Sequence, residues 1–281
     1  MPKILNSDYQ TIFLSPHSKH DPYTNLLEML GFSKIETSES IEKGLAALGK
    51  KPTLYHESIQ DQDMYEYLIQ TLRNKATDKP LFVAMYTFET HTNIDTPENG
   101  IKYGSGDNSV LNTIHNMDTG FGKLWSFIQS SEFKDNTIIV FTSDHAHYND
   151  RPYVMLAKQD SDYKRVFVDR IPLLIYDPTH LLPDRYDTND RTSLDLIPTV
   201  LHLIGKNNIR NSFMGRSLFD SPNDDEYNVA AFGTRVYGIE NHQVYTQNEM
   251  RKFNSEEFRN QVNKIRLFYM CESNNQVFYD N

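Results

Sequence analysis

Apolar, β-branched runs alternate with amphipathic helical patterns through the first three-quarters of this 281-residue chain. Such alternation is typical of a mostly parallel sheet with helices on both faces. The predicted strands are Tyr9–Leu14, Leu81–Phe88, Thr137–Thr142 and Arg170–Tyr176, and the predicted helices are Tyr23–Leu30, Gln62–Asn74, Ser109–Ser130 and Ser193–Ile204. The sequence therefore predicts an α/β fold in which a mostly parallel sheet is sandwiched by helices.

The last quarter of the chain has a different pattern. Short alternating runs between Asn228 and Thr246 predict an antiparallel meander, and Ser255 opens a final helix with a capping-type signature. The polar turn-forming cluster Ser221–Glu226 is the best candidate for a boundary. We therefore expect an α/β domain over residues 1–220 and a small antiparallel C-terminal subdomain over residues 221–281.

Composition excludes several classes of protein. The net charge is −10 and the sequence has no basic stripe, so nucleic acid is not expected as a partner. The single cysteine, Cys271, excludes a disulfide within the chain and a cysteine-based zinc cluster. The N-terminus lacks the apolar region of a signal peptide, and no apolar stretch approaches the roughly 18 residues of a membrane span. Neither a signal peptide nor a span is therefore expected in this chain.

An acidic–imidazole pair, Asp144-His145, directly follows the predicted strand Thr137–Thr142. Ligands of open α/β sheets bind at the carboxyl ends of strands, and a carboxylate with a neutral imidazole suits a divalent cation. Adjacent strand residues point to opposite faces, so both side chains reach one ion only if the strand breaks here. The alternative is that Asp144 caps a loop and His145 lies on the surface.

Three further side chains are candidates for contact with an anion. His91 follows the strand Leu81–Phe88 and could bind an anionic oxygen or protonate a leaving group. His147 is a similar candidate, and Arg151 could clamp a phosphate or sulfate. The alternative for the two histidines is a purely structural role, and the alternative for Arg151 is a surface salt bridge. We expect the ends of the two strands, and hence His91 and His145, to be neighbours.

Five segments in order resemble the sulfatase-like part of the alkaline phosphatase superfamily. Thr142–His145 resembles the family's metal-binding strand, with Ala146 where Gly is usual, and His91-Thr-Asn resembles the turn whose His contacts the transferred anion. Arg170–Tyr176 resembles a core strand, Ser193–Gly205 a helix, and Phe213–Leu218 the turn that follows this helix. Within the helical segment, we also interpret Asp195 as a first-turn acid. Each is weak alone, and together they span nearly the whole chain.

The opening segments Pro2–Leu5 and Tyr9–Thr11, together with Leu30-Gly31-Phe32, resemble most the lipoteichoic acid synthase and phosphoglycerol or phosphoethanolamine transferase branch. This resemblance implies transfer of a phospho-alcohol from an anionic phospholipid head group to a glycan or polymer, at the outer face of the bacterial cytoplasmic membrane. In that branch a threonine attacks, and Glu, Thr, Asp and His hold a divalent ion (Mn, Zn or Mg, or Ca in a sulfatase). Asp144 and His145 match the metal-binding Asp and His, and His91 matches the substrate-side His.

The chain departs from the family pattern at its beginning. In the family, the metal-binding Glu and the nucleophilic Thr lie upstream of the helix that Pro2–Leu5 resembles, and we identify no nucleophile here. We therefore expect the C-terminal part of a catalytic domain, inactive alone, with weak or absent metal binding, that self-associates or pairs with a missing N-terminal half. A sulfuric ester hydrolase is the alternative within the same chemistry, and a catalytically dead module that binds a glycan or a partner is the alternative of another class.

Overall fold

The computed structural model of the chain contains two compact units, residues 1–137 with 147–163 and residues 138–146 with 164–281. The structure describes residues 1–75, 77–91, 95–146, 151–159, 170–188, 190–209, 213–221, 228–232, 235–240, 243–250 and 256–273. The predicted boundary between residues 220 and 221 stays a prediction. None of the helices in the described residues is both long and apolar enough to cross a membrane.

The first unit is built around a parallel sheet of three strands. β1 (Gln10–Leu14) is the central strand, flanked by β2 (Lys34–Glu36) and by the strand Leu81–Met85, which becomes β5 in chain order. Both pairings are parallel, with Gln10 opposite Leu81 and Leu14 opposite Met85. β1 is buried from Thr11 to Leu14, as expected for a central strand of an α/β sheet. The predicted α/β fold class is confirmed.

Helices and a short hairpin complete the first unit. They are α1 (Pro2–Leu5), α2 (Pro22–Met29), α3 (Ser38–Ala47), β3 (Leu54–Tyr55) with β4 (Ser58–Ile59), α4 (Asp61–Arg73), α5 (Ser109–Gln129) and α6 (Arg151–Ala157). α2 ends before Gly31, whose φ of 78° is the left-handed conformation that favours glycine after a helix. The predicted helices in this unit are thus present, with ends that differ by a few residues.

The buried face of α5 differs from the one that its apolar spacing predicts. Leu124 and Ile128 are buried as the pattern from Leu111 to Ile128 indicates, but Ile114 is 43% exposed. In the N-terminal half of the helix, the polar residues Asn112 and Asn116 lie inside instead. Polar groups at such positions require hydrogen-bond partners, and they find them in the loop that precedes the helix.

Two glycines of α5 give a matched test of how α4 and α5 pack. An added Cβ at Gly120 would lie 2.4 Å from Cδ2 of the buried Tyr65 on α4, whereas a Cβ at Gly122 would meet no atom within 4 Å. We expect Gly120→Ala to lower the free energy of unfolding by about 1–2 kcal/mol, because the overpacking cost exceeds the gain in helix propensity. Gly122→Ala should raise it by up to about 1 kcal/mol. Urea unfolding of the two variants measures both changes, and equal shifts would contradict this packing.

The second unit contains antiparallel pairs. β6 (Ile139–Thr142) pairs with β7 (Leu173–Tyr176), with Thr142 opposite Leu173. A 3₁₀ turn (Ser193–Asp195) then leads into α7 (Leu196–Leu203). Pro198 lies in the first turn of α7, where its missing N–H costs no helical hydrogen bond.

The predicted meander is confirmed as β8 (Asn228–Phe232), β9 (Arg235–Glu240) and β10 (Gln243–Thr246), which pair antiparallel in chain order. Two helices follow, α8 (Gln247–Met250) and α9 (Glu256–Ser273). A small apolar core joins the meander to α9 through Val229, Val236, Val262 and Ile265.

Candidate functional site

The carboxyl ends of β1 and β5 lie side by side in the parallel sheet, with Leu14 opposite Met85. The segment after β1 brings Ser15 and His17 to this edge, and the segment after β5 brings Tyr86, Phe88 and His91. This is the edge at which open α/β sheets bind ligands.

His17 is held in a fixed orientation at this edge. Its Nδ1 lies 2.7 Å from Oγ of the buried Ser58, and its ring contacts the rings of Phe88 and Tyr86 at centroid distances of 4.9 and 5.5 Å. Burial lowers the pKa of His17, while Asp21 raises it and His91 lowers it by smaller amounts. The imidazole is therefore neutral near pH 7, and it presents an Nε2–H to an anion in the tautomer in which Nδ1 accepts the Ser58 hydroxyl.

His91 contacts the same phenyl ring. The imidazole ring of His91 stacks on Phe88 at a centroid distance of 5.5 Å, and the backbone N–H of His91 donates to the Phe88 carbonyl at 3.0 Å. The side chain is exposed. Phe88 therefore contacts two imidazoles, the half-buried His17 and the exposed His91, at one end of the sheet.

Tyr86 adds a hydroxyl group to this edge. Its Oη lies 3.3 Å from Oγ of Ser15, which is fully buried, and Tyr23 packs against its ring at 5.4 Å. Burial raises the pKa of Tyr86, so the phenol keeps its proton over the physiological pH range. The edge thus offers neutral N–H and O–H donors, a set that suits the oxygens of an anionic ester.

The second unit holds Asp144 and His145 in a tight bend directly after β6. β6 ends at Thr142, and the Ser143 hydroxyl donates to the His145 carbonyl at 2.6 Å. Oδ1 of Asp144 accepts the His145 N–H at 2.9 Å. The strand thus breaks before the pair, and the two side chains lie on one side, with His145 Nε2 3.5 Å from Asp144 Oδ2.

This arrangement fits a divalent cation. His145 Nδ1 lies 2.7 Å from the Ala146 carbonyl, which can only accept, so the neutral ring carries its proton on Nδ1 and its lone pair on Nε2. Two ligand atoms on a tetrahedral ion lie about 3.4 Å apart, close to the observed Nε2–Oδ2 separation. Within the described ranges no group of three or more His, Cys, Asp or Glu is placed to hold a metal ion, so this pair would supply part of a coordination shell.

The remaining candidates have different outcomes. His147 lies outside the described residues. Arg151 is the first residue of α6 and is exposed; its role as an anion contact stays a prediction. Asp195 is buried and its carboxylate accepts the Thr192 N–H at the start of the helical segment, as the reading of a first-turn acid predicted. β5 belongs to the first unit and β6 to the second, and the expected proximity of His91 and His145 stays a prediction.

His17 is the residue that the sequence reasoning missed. The rule that pointed to His91 and Asp144, a polar side chain just after an apolar strand, applies equally to Ser15-Pro16-His17 after Leu14. The partner that orients the ring, Ser58, is 41 positions away in sequence, and no local pattern indicates it.

Comparison with known proteins gives one family and a set of similar folds. The sequence model of the family described as Sulfatase matches residues 1–206. Lipoteichoic acid synthase 1 of Bacillus subtilis (strain 168) is 25% identical over 160 residues, which are 52% of this chain and 24% of that protein. The chain therefore spans about a quarter of the length of this curated relative.

Two solved structures share the fold with a TM-score of 0.72 each. A protein of the alkaline phosphatase superfamily from Vibrio parahaemolyticus is 18% identical, and the match covers 99% of this chain and 69% of that one. The lipoteichoic acid synthase LtaP from Listeria monocytogenes is 16% identical, and the match covers 100% of this chain and 74% of that one. At these identities the likeness concerns the fold.

Proposed function

Because the chain belongs to the sulfatase family, we propose that it takes part in the metal-dependent transfer of a phospho-alcohol, a phosphoglycerol or phosphoethanolamine group. The curated relative that supports this choice is named a lipoteichoic acid synthase. The observation that carries the proposal is the orientation of His145, whose Nδ1 faces a carbonyl and whose Nε2 faces a carboxylate oxygen 3.5 Å away. A divalent cation bound to both of these atoms would hold them at about this separation.

Each group has a role in this reaction. Asp144 and His145 hold the ion, which when bound lowers the pKa of an attacking hydroxyl and neutralises charge on the transferred group. His17 and His91 donate N–H groups to the non-bridging oxygens, and both imidazole rings contact the ring of Phe88. His147 and Arg151 remain proposed anion contacts. The nucleophile is not assigned to a residue of this chain.

The proposal extends to partners and location. The donor is an anionic phospholipid head group, the acceptor is a glycan or polymer, and the reaction takes place in the cell envelope, at the outer face of the cytoplasmic membrane. A sulfuric ester hydrolase would use the same donors for a sulfate, with Ca²⁺ as its ion. Preference for Mn²⁺ and phosphate over Ca²⁺ and sulfate separates the two.

Titration with Mn²⁺, followed by water proton relaxation, tests the metal pair. We expect weak binding to the wild-type chain, because two protein ligands leave most of the shell to water or other side chains. Asp144→Ala and His145→Ala should each weaken Mn²⁺ binding at least about tenfold. Loss of only the hydrogen-bond partner of a metal ligand already lowers metal affinity by about 10–100-fold.

The second unit offers a matched control for this titration. His202 and Asp220 form another imidazole–carboxylate pair, with Nδ1 and Oδ1 3.6 Å apart, but that nitrogen is buried. Asp220→Asn should therefore leave Mn²⁺ binding unchanged. Mn²⁺ binding that survives in both Asp144→Ala and His145→Ala would place the ion elsewhere and contradict the proposal.

A further inference from the structure

Two buried carboxyl groups lie behind the edge that carries His17 and His91. Asp61 begins α4 and is 0% exposed, and Glu89 follows β5 by a few residues and is 1% exposed. Neither takes part in the reaction proposed above. A buried carboxylate without a cation is costly, so such a pair calls for an explanation.

The two residues bind each other's backbone. Oε1 of Glu89 accepts the Asp61 N–H at 2.8 Å, and Oδ1 of Asp61 accepts the N–H groups of Phe88 at 2.9 Å and Glu89 at 3.3 Å. This reciprocal clasp ties the start of α4 to the turn that follows β5. Phe88 is the residue whose ring contacts both imidazoles, so the clasp fixes the part of the chain that supports them.

Glu89 also anchors the far part of the loop between β5 and α5. Its Oε2 accepts the Thr96 hydroxyl at 3.0 Å and the Asn116 amide at 2.8 Å. Asn116 in turn accepts the Ile101 N–H at 2.9 Å, and Asn112 accepts the Tyr103 N–H at 3.0 Å. Glu89 thus receives donors only, which is the hydrogen-bonding pattern of an ionised carboxylate.

Asp61 has the opposite pattern. Its Oδ2 is buried, and no hydrogen-bond partner lies within reach of it among the described residues. Burial and then the charge of Glu89 raise the pKa of Asp61 to about 8. A neutral carboxyl with its proton on Oδ2 avoids a buried charge at an oxygen that no donor reaches, and Oδ1 remains free to accept the two N–H groups.

We propose that Glu89, as an anion beside a neutral Asp61, is the positioning residue that places His91 for the anionic group of the substrate. The inference rests on the proposed function, since it concerns the same anion-binding edge. Glu89 touches no reacting atom. It acts through the backbone of the turn from Phe88 to His91.

Three variants separate the roles of the two carboxyls. Asp61→Asn imitates the neutral acid: Oδ1 still accepts, and an amide replaces the oxygen that has no partner. Glu89→Gln turns one acceptor into a donor that faces other donors. Thr96→Val removes one hydrogen bond to Glu89 without changing the size of a side chain that is 4% exposed, and it decides the question if Glu89→Gln does not fold.

The measurement is titration with inorganic phosphate, followed in ¹H–¹⁵N and aromatic NMR spectra by the ring signals of His17 and His91. We expect wild type and Asp61→Asn to bind phosphate within about twofold of each other. Glu89→Gln should lose about tenfold or more, and Thr96→Val severalfold, in line with the loss of hydrogen bonds to a charged group. The contacts between the His91 and Phe88 rings should weaken in Glu89→Gln before any phosphate is added, a readout that a general loss of stability would not produce selectively.

The outcomes separate the inference from the function on which it rests. Absence of any phosphate effect on wild-type His17 and His91 would overturn the anion-binding edge, while the ring contacts in the ligand-free variants would still test the positioning role. Unchanged affinity and unchanged His91 contacts in Glu89→Gln, or in Thr96→Val if the first variant is unfolded, would overturn the positioning role. Equal losses in Asp61→Asn and Glu89→Gln would overturn the assignment of the proton to Asp61.

Discussion

Replacing Arg191 by alanine should lower the free energy of unfolding of the second unit by about 3–5 kcal/mol, the usual cost of removing one partner of a buried ion pair. The Arg191 and Asp195 side chains are 9% and 8% exposed, and Nε lies 2.8 Å from Oδ2. The guanidinium also donates to the Arg216 carbonyl at 2.8 Å, and Oδ1 of Asp195 accepts the Arg216 N–H at 2.8 Å. The Arg191–Asp195 pair therefore connects the start of α7 to the turn at Arg216 through hydrogen bonds.

Hydrogen exchange of the amides of α7 and of the residues around Arg216 measures this change, and exchange of the amides of α4 in the first unit measures the effect of the control variant Lys50→Ala. Lys50 pairs with Glu66 at 2.8 Å, but the two side chains are 49% and 25% exposed, so its loss should cost at most about 1 kcal/mol. A loss of similar size in the two variants would mean that burial of the Arg191 pair contributes little.

The same contacts explain why a glycine stands at position 215. A Cβ there would lie 2.2 Å from the Leu194 carbonyl oxygen and 2.7 Å from Asp195 Oδ1. The Gly-Arg-Ser-Leu turn and the Asp-Leu-Ile-Pro-Thr helix, which the sequence resemblance linked only by order, are thus one structural element. Thr199 completes it, since its hydroxyl donates to the Asp195 carbonyl and accepts the Leu218 N–H.

Local pattern was sufficient to predict the strands and helices that bury apolar residues. β1 is an apolar run between polar ends, and the long helix α5 shows apolar spacing through Ile128. These signals depend on residues a few positions apart. The direction of strand pairing was harder to predict, since the sheet was expected to be mostly parallel and β6 pairs antiparallel with β7. The partner of a strand depends on the path of the whole chain.

The candidate site was predictable only where its residues follow a strand. Asp144, His145 and His91 satisfy that rule, whereas the roles of Ser58 and Tyr86 depend on contacts with residues far away in sequence; Tyr86 and Ser15, for example, are 71 positions apart. The inward-facing Asn112 and Asn116 were missed for a related reason. Their burial contradicts the apolar pattern, and it becomes favourable only because the loop before α5 supplies their partners.

The stability of the first unit should fall as the pH rises from 5 to 8, because of Asp61. Its pKa is raised from 3.8 to about 8 in the folded chain, mainly by burial and also by Glu89. Between these values the folded chain keeps a proton that the unfolded chain has released, so unfolding releases a proton and a higher pH favours it. At about 1.4 kcal/mol for each pKa unit, the loss over this range can reach about 4 kcal/mol.

Other titrating groups near Asp61 or in the same unit also change the stability with pH, so the contribution of Asp61 must be measured as a difference. The charge that acts on Asp61 is the acidic one of Glu89, and Asp61 and Asp118 both raise the pKa of the neighbouring Tyr65. The lowered pKa of His17 acts in the opposite direction below about pH 6.5, because the unfolded chain there binds more protons. Glu39, Glu66 and Asp95 have lowered pKa values and titrate below this window.

The difference between wild type and Asp61→Asn isolates the contribution of Asp61, since the other groups are present in both proteins. An amide cannot ionise, so the stability of the variant relative to wild type in urea unfolding should already be positive at pH 5 and should grow by up to about 4 kcal/mol between pH 5 and pH 8, where Asp61 begins to lose its proton beside Glu89. Parallel stability curves for the two proteins from pH 5 to 8 would show that Asp61 titrates as an ordinary carboxyl group. Asp61 and Glu89 would then both be ionised in the core. The hydrogen bonds to Glu89 alone would not explain how the fold accommodates two buried charges.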